Sequence, residues 1–330
     1  AQVDGCEAVA PTPVTGVPAD GKAEHYESML LAPQGTLTIT DNYQTNQYGT
    51  LALTPGPEPL RSATDVVAPG QAARDYEAAN AARVIALDDG TNTNLLKGAA
   101  TEVPYAYLAN GAPARVGYHV SFDGPVVLEP RHGSFVFQPT SMVAGHPDRS
   151  PVTITGQRPG APTVGGDTRV ATFNVLNYFS DLGVDEAGCT GYPDRTGAFV
   201  TAKKCRVRGA FSHEAFANQQ AKIVAAINAL GADVVALEEI ENPLAVGSST
   251  DRDASLARLV EALNEAAGAG TWAYVPSPPI IPADEDVIRV AFIYKPARVS
   301  PVGPSIIHDD PAFTGLARQP LAQEFARVSP

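Results

Sequence analysis

A stretch rich in proline and glycine, PTSMVAGHPDRSPVTITGQRPGAPTVGGD from Pro139 to Asp167, separates two halves of this chain with different hydrophobic patterns. Proline removes a backbone donor and restricts its predecessor, so such a segment links domains, with at most an edge strand at Val152 to Thr155. Before it come short apolar runs: SMLLA from Ser28, GTLTIT from Gly35, GTLALT from Gly49, RVIAL from Arg83, RVGYHVSF from Arg115, PVVLEP from Pro125 and GSFVFQP from Gly133. Most are bounded by Gly, Pro, Asn or Asp and several alternate apolar with polar residues, as half-buried antiparallel strands do. Gln71 to Ala82 is the one helix candidate there. The expected layout is an extended lead-in over 1–23, an all-β domain (a small barrel or sandwich) over 24–139, a linker over 140–167 and a second domain over 168–330.

The second half alternates strands with longer helices. Ser212 is placed to cap a helix whose Phe216, Ile223, Val224, Ile227 and Leu230 share one face, and Gly231 can close it. Leu256, Leu259, Val260 and Leu263 form a second apolar stripe. Two apolar strands, VATFN at Val170 to Asn174 and DVVAL at Asp233 to Leu237, run out into polar residues. This is an α/β pattern, and in such sheets ligands gather beyond the carboxyl ends of the strands. Asn174 is therefore one candidate ligand and the Glu238–Glu239 pair another. Because successive strand residues point to opposite faces, only one of the two glutamates is expected to face an ion beside Asn174.

The net charge of -13 works against diffuse attraction to nucleic acid, so any phosphate must be met by a local cluster of cations. The densest such segment holds Arg195, Lys203, Lys204, Arg206 and Arg208, and reads as a solvated loop. Three cysteines exclude a dense disulfide framework. Cys189 and Cys205 bracket that loop and are expected to pair, closure stabilising by roughly 3 kcal/mol on the chain-entropy account. Cys6 is left for a partner outside the chain. No apolar run reaches the roughly 18 residues a membrane span needs. The start, AQVDGCEAVA, lacks the basic and apolar regions of an intact signal peptide, and an already processed end would look the same.

Five ordered blocks carry a family resemblance: FNVLNYF around Asn174, CRVRGAFSHEAFANQQAKIVAAI from Cys205, ADVVALEEIEN from Ala232, DVIRVAFIYKP from Asp286 and ARQPLAQEF from Ala317. Together they resemble the endonuclease/exonuclease/phosphatase superfamily, with its deoxyribonuclease-I-like αββα sandwich, and within it the secreted bacterial nucleases of the ExeM/NucH type. DNYQTNQYGTLALTPG, ALDDGTN and FVFQPT resemble the OB-like domain that precedes the catalytic domain there. The resemblance implies a secreted nuclease that uses a divalent metal, Mg²⁺ first and Mn²⁺ or Ca²⁺ as alternatives, to hydrolyse phosphodiesters of extracellular DNA or RNA. Glu239 stands where the family has its metal-binding glutamate, Glu238 where glutamine is common, and Asn174 where an asparagine places water or phosphate near the metal. Arg318 resembles a substrate-phosphate contact, with Arg289 a competitor; Lys203, Lys204, Arg206 and Arg208 are expected to favour a polymeric substrate. Asn177, Glu214 and Asp286 lie in matching blocks without an assigned role.

The family's later blocks, which carry a phosphate-polarising histidine, an Asp/Asn pair and an Asp-His on the attacking water, are not among these 330 residues. None of His25, His119, His132, His146, His213 or His308 stands in a matching context. The expectation is therefore part of a longer enzyme, inactive by itself. Two other readings stay open: a phosphatase or phosphodiesterase of the same fold acting on small substrates, and an inert surface or envelope scaffold. Residues 1–165 carry nine Lys/Arg against sixteen Asp/Glu, which argues against nucleic-acid binding by the β-domain.

Overall fold

In the computed structural model the described residues are 8–16, 18, 23–108, 113–131 and 133–328; Cys6 and His132 lie outside them. The chain divides into two compact units, Ala1–Pro159 and Gly160–Pro330. It is a mixed α/β protein with its strands in several sheets.

The first unit holds β1 (Thr12–Thr15), β2 (Leu30–Gln34), β3 (Leu37–Asp41), β4 (Leu51–Pro55), β5 (Ile85–Leu87), β6 (His119–Phe122), β7 (Val126–Arg131), β8 (Ser134–Pro139) and β9 (Val152–Thr155), with a short helix α1 (Thr45–Tyr48) and α2 (Gln71–Ala81). They form one sheet in the order β1-β2-β7-β8-β5-β4-β3-β6-β9. The inward positions recur every second residue, Leu37 and Ile39, Leu51 and Leu53, Ile85 and Leu87, and all are buried in one cluster with Leu31, Val120, Val126, Leu128 and Phe137. β1 and β9 are the outermost strands, so the sheet is not closed into a barrel. Part of the expected lead-in is thus a strand: β1 pairs in parallel with β2. Its Pro13 is tolerated because β1 has a neighbour on one side only.

β5 runs out into Asp88 and Asp89, and both are sealed in. Asp88 pairs with Arg131 at 3.0 Å, accepts from Gly90 N at 3.0 Å, and its carbonyl accepts from the buried Tyr107 hydroxyl at 2.6 Å. Asp89 is 0% exposed, and its Oδ1 accepts from Thr91 N at 3.0 Å. Burial, with Asp88 beside it, pushes its pKa up to about 7. Gly49 sits directly on this carboxylate with φ 65°, so a Cβ there would overlap it.

The second unit centres on β10 (Val170–Tyr178), β13 (Val234–Glu241), β14 (Ala273–Tyr274) and β15 (Ile288–Tyr294), in the order β10-β13-β15-β14. Between β10 and β13 lie the hairpin β11 (Thr190–Pro193) with β12 (Phe199–Lys203) and helix α3 (His213–Ala229); α4 (Pro243–Val246) and α5 (Ala254–Ala267) follow β13. Ser212 Oγ accepts from Ala215 N at 3.2 Å, the expected cap of α3. Phe216, Ile223, Val224 and Ile227 of α3 and Leu256, Leu259, Val260 and Leu263 of α5 form one core with Val175, Val235, Leu237, Ile240, Ala291 and Ile293 of the sheet. Leu230 instead terminates the helix and is exposed, because α3 stops before a further turn can carry it inward. A last hairpin, β16 (Val299–Ile307) with β17 (Leu321–Arg327), places the Phe325 ring 6.0 Å from Phe292 and 5.7 Å from Tyr294.

The basic segment is not the loop expected: its middle is β12, and Cys189 and Cys205 join the two sides of the hairpin in a disulfide with Cα atoms 5.2 Å apart. Phe199, Thr201 and Lys203 pair with β11, a cross-strand ladder that a reading of charge alone does not reveal. Among the described residues no helix is long and apolar enough to cross a membrane.

Candidate functional site

β10 and β13 run parallel, so both carboxyl ends reach the same rim of the sheet, and Asn174 pairs with Glu238. Just there the register slips. Tyr178 is the next partner, opposite Ile240, so Val175, Leu176 and Asn177 together face the single residue Glu239. On the other side Leu237 pairs with Ala291 and Ile240 with Arg289, leaving Glu238 and Glu239 opposite Val290 alone. The bulge interrupts the strict alternation of the strand at Glu238 and Glu239, both of which are half-exposed at the rim.

The backbone is strained where it bulges. Leu176 (φ 54°), Asn177 (φ 52°) and Glu239 (φ 64°) all lie in the left-handed region, three of five such non-glycine residues among those described. Each such conformation costs on the order of 1–3 kcal/mol and persists only where its surroundings fix it. Here Asn174 Oδ1 accepts from Leu176 N at 2.8 Å, Glu239 Oε2 accepts from Asn177 N at 3.0 Å, and Gln219 Nε2 of α3 donates to the Leu176 carbonyl at 2.7 Å. Leu176 is held with its side chain 74% exposed, so burial does not account for the conformation. A cleft of about 720 Å³ opens beside it, lined by Asn174, Leu176 and Asn177, Phe199 of the hairpin, and Gln219 and Lys222 of α3.

The third acid of the block, Glu241, has a different role. It is 0% exposed; its Oε2 accepts from Ser180 N at 2.7 Å and from the Ser255 hydroxyl at 2.5 Å. Burial pushes its pKa up to about 7, with Asp181 adding to the rise against the Ser255 hydrogen bond. Glu239 and Glu241 thus each hold a piece of the chain leaving β10. Sequence reasoning passed over Glu241 because nothing in EEIEN separates a buried acid from an exposed one.

Asn174, Glu238 and Glu239 offer oxygen donors only, which suits a hard cation. Among the described residues no group of three His, Cys, Asp or Glu side chains converges on a point. Two carboxylates and an amide nevertheless fit Mg²⁺, which commonly keeps several waters and takes one or two carboxylates plus substrate phosphate.

The candidate cations are not equivalent. Arg289 is 5% exposed and donates to Asp253 at 2.7 Å and to the Arg252 carbonyl at 3.0 Å; burial lowers its pKa to about 10. It is enclosed in the fold and presents no guanidinium to a surface ligand, because β15 turns it inward opposite Ile240. Lys203 lies 4.4 Å from the Tyr192 ring centre, and Lys204 is exposed. Arg206 is exposed and donates to the Ala245 carbonyl at 2.5 Å. Arg208 and Arg318 come together on one carboxylate: Arg208 Nη2 lies 2.9 Å from Asp286 Oδ1 and Arg318 Nη2 lies 3.2 Å from Asp286 Oδ2. The structure brings Asn174 beside Glu238 and Glu239, and Arg208 beside Arg318; it does not bring in Arg289.

No protein-family model matches the chain, and neither does any curated protein or solved structure.

Proposed function

We propose that this chain carries part of the active site of a secreted, metal-dependent phosphodiesterase that cuts nucleic acid, DNA before RNA. The second unit is read as part of a deoxyribonuclease-I-like sandwich and the first as its OB-like companion. The observation that carries the reading is the double bulge, where strained, half-exposed Glu239 stands beside Glu238 and Asn174 at the carboxyl ends of two parallel strands.

In this reading Asn174 and Glu239, with Glu238 beside them, hold Mg²⁺ or Mn²⁺. When bound, the cation supplies neutralisation of charge that develops on a phosphate. The chain's own residues do the rest of what these segments can do. The Asn177 and Leu176 amides fix the two ligands, the half-exposed arginines orient flanking phosphates, and Gln219 keeps the bulge from relaxing.

Titration calorimetry with Mg²⁺ and Mn²⁺ tests the assignment. Glu239→Gln is expected to lower affinity by at least the roughly tenfold to hundredfold typical of outer-shell changes, with the unfolding midpoint unchanged. Equal metal affinity in the variant removes Glu239 from the site. In a supercoiled-plasmid assay the 330-residue chain alone is expected to leave DNA intact; metal-dependent nicking by it overturns the view that these residues hold only part of the machinery.

A further inference from the structure

Asp286 sits where three segments meet, and it partners a cation from each of two. Arg208 follows the disulfide-closed hairpin, and Arg318 lies between β16 and β17. Arg208 binds both carboxylate oxygens, at 2.9 and 3.2 Å, and Arg318 binds Oδ2 at 3.2 Å. The carboxylate itself is fixed: Oδ1 also accepts from Val287 N at 2.7 Å, and the Asp286 carbonyl accepts from the buried Asn242 at 3.3 Å. Gln319, next to Arg318, donates to the Asp284 carbonyl at 2.8 Å, which fastens the second arm to the same loop.

Stability does not explain this arrangement. The three side chains are 31–46% exposed, and ion pairs at such sites contribute little. The neighbouring Glu285, by contrast, is buried and fully engaged with Arg252 at 2.6 and 3.0 Å. Two guanidiniums held on one carboxylate would repel without it, and together they exceed its charge. Both guanidiniums meet one carboxylate, Arg208 through two nitrogens and Arg318 through one, and a phosphate offers arginines the same kind of charged oxygen acceptor. The cluster also lies at the right place: Glu241 pairs with Ile288, so the loop carrying Asp286 continues from the rim on which Glu238 and Glu239 stand.

We propose that Asp286 is a positioning residue for a two-arginine phosphate subsite: it holds Arg208 and Arg318 at one spacing and yields them to a phosphate of the nucleic-acid backbone. The inference rests on the phosphodiesterase reading above.

The test is binding of a short fluorescein-labelled DNA duplex to the 330-residue chain, followed by anisotropy across a salt series. Arg208→Ala and Arg318→Ala are each expected to weaken binding about tenfold, as loss of a charge-assisted contact does, with the double variant little weaker than either. Each is also expected to lower the slope of log affinity against log salt by about one unit. Asp286→Asn gives the decisive sign. An acid that merely competes for the arginines predicts tighter binding once its charge is gone; a positioning acid predicts severalfold weaker binding and a shallower slope, despite the more positive surface. A circular-dichroism melt of each variant confirms that it is folded. Tighter binding by Asp286→Asn, or additive arginine effects, overturns the subsite while leaving the nuclease reading in place. A chain that binds no duplex in any salt overturns both.

Discussion

Each unit has a central strand that runs out into paired acids, ALDDG after β5 and ALEEIE along β13, and the two pairs are treated in opposite ways. In the first unit Asp88 and Asp89 are closed over: Arg131 pairs with the Asp88 carboxylate, the Tyr107 hydroxyl donates to the Asp88 carbonyl, Thr91 N donates to Asp89 Oδ1, and Gly49 packs on the Asp89 carboxyl, whose Oδ2 is buried without a partner. In the second, Glu238 and Glu239 stay half-exposed on a backbone that is strained to put them there. The sealed pair answers a packing problem. The left-handed conformation of Glu239 is held not by burial but by the hydrogen bond it accepts from Asn177 N, and the proposed site rests on that difference.

The largest effect that can sharpen this contrast is expected at the sealed pair. Gly49→Ala places a methyl group where the Asp89 carboxyl lies, at φ 65°, and should destabilise the first unit by about 3 kcal/mol or more. Hydrogen exchange of the β4 amides reports it, whereas fluorescence of Trp272, the single tryptophan, reports the second unit and should not move. Equal losses in both would break the separation between them.

A middle-sized effect concerns pH. Asp89 and Glu241 have carboxyls raised to about 7 by burial, so folded chains keep these protons in a range where unfolded chains have released them. The stability each contributes is fully present below about pH 4 and is lost as pH rises through about 7. Both units should therefore melt earlier at about pH 8 than at about pH 5. Asp89→Asn should flatten the dependence in the first unit and Glu241→Gln in the second. A steep slope that survives in either variant removes that carboxyl as its source.

The smallest effect is at the open pair and has the reverse sign. Leu176→Gly frees a left-handed residue whose side chain is exposed, and should stabilise the second unit by about 1 kcal/mol in urea unfolding. A loss of stability would mean that Leu176 makes contacts its exposure conceals, and the contrast between the two acid pairs would weaken.

Much of this was legible in the residues. The seven apolar runs of the first half all contain strands, α3 and α5 follow their stripes, Ser212 caps, and Cys189 pairs with Cys205. Local pattern suffices where an element obeys one period. It failed where the decisive information lies across strands. β1 is visible only through its pairing with β2, and β16, which contains Pro301 and Pro304, only through its pairing with β17. The bulge did leave a trace: apolar residues fall at Val235 and Leu237 and then at Ile240, a gap of three where an uninterrupted strand keeps two. The fates of Arg289 and Glu241 left none, since one-dimensional charge does not say which side of a sheet is closed.

The parallel pairing of β10 with β13 also carries a consequence for how the molecule comes into being. Val170 meets Val234 only after the intervening hairpin and helix have been looped out, and such distant closures come late and slowly. Hairpin β11–β12 and helix α3 can form from neighbours alone, but Asn174 and the glutamates cannot meet until that loop is closed. A nascent or partly folded chain therefore has its helices before it has its ligands.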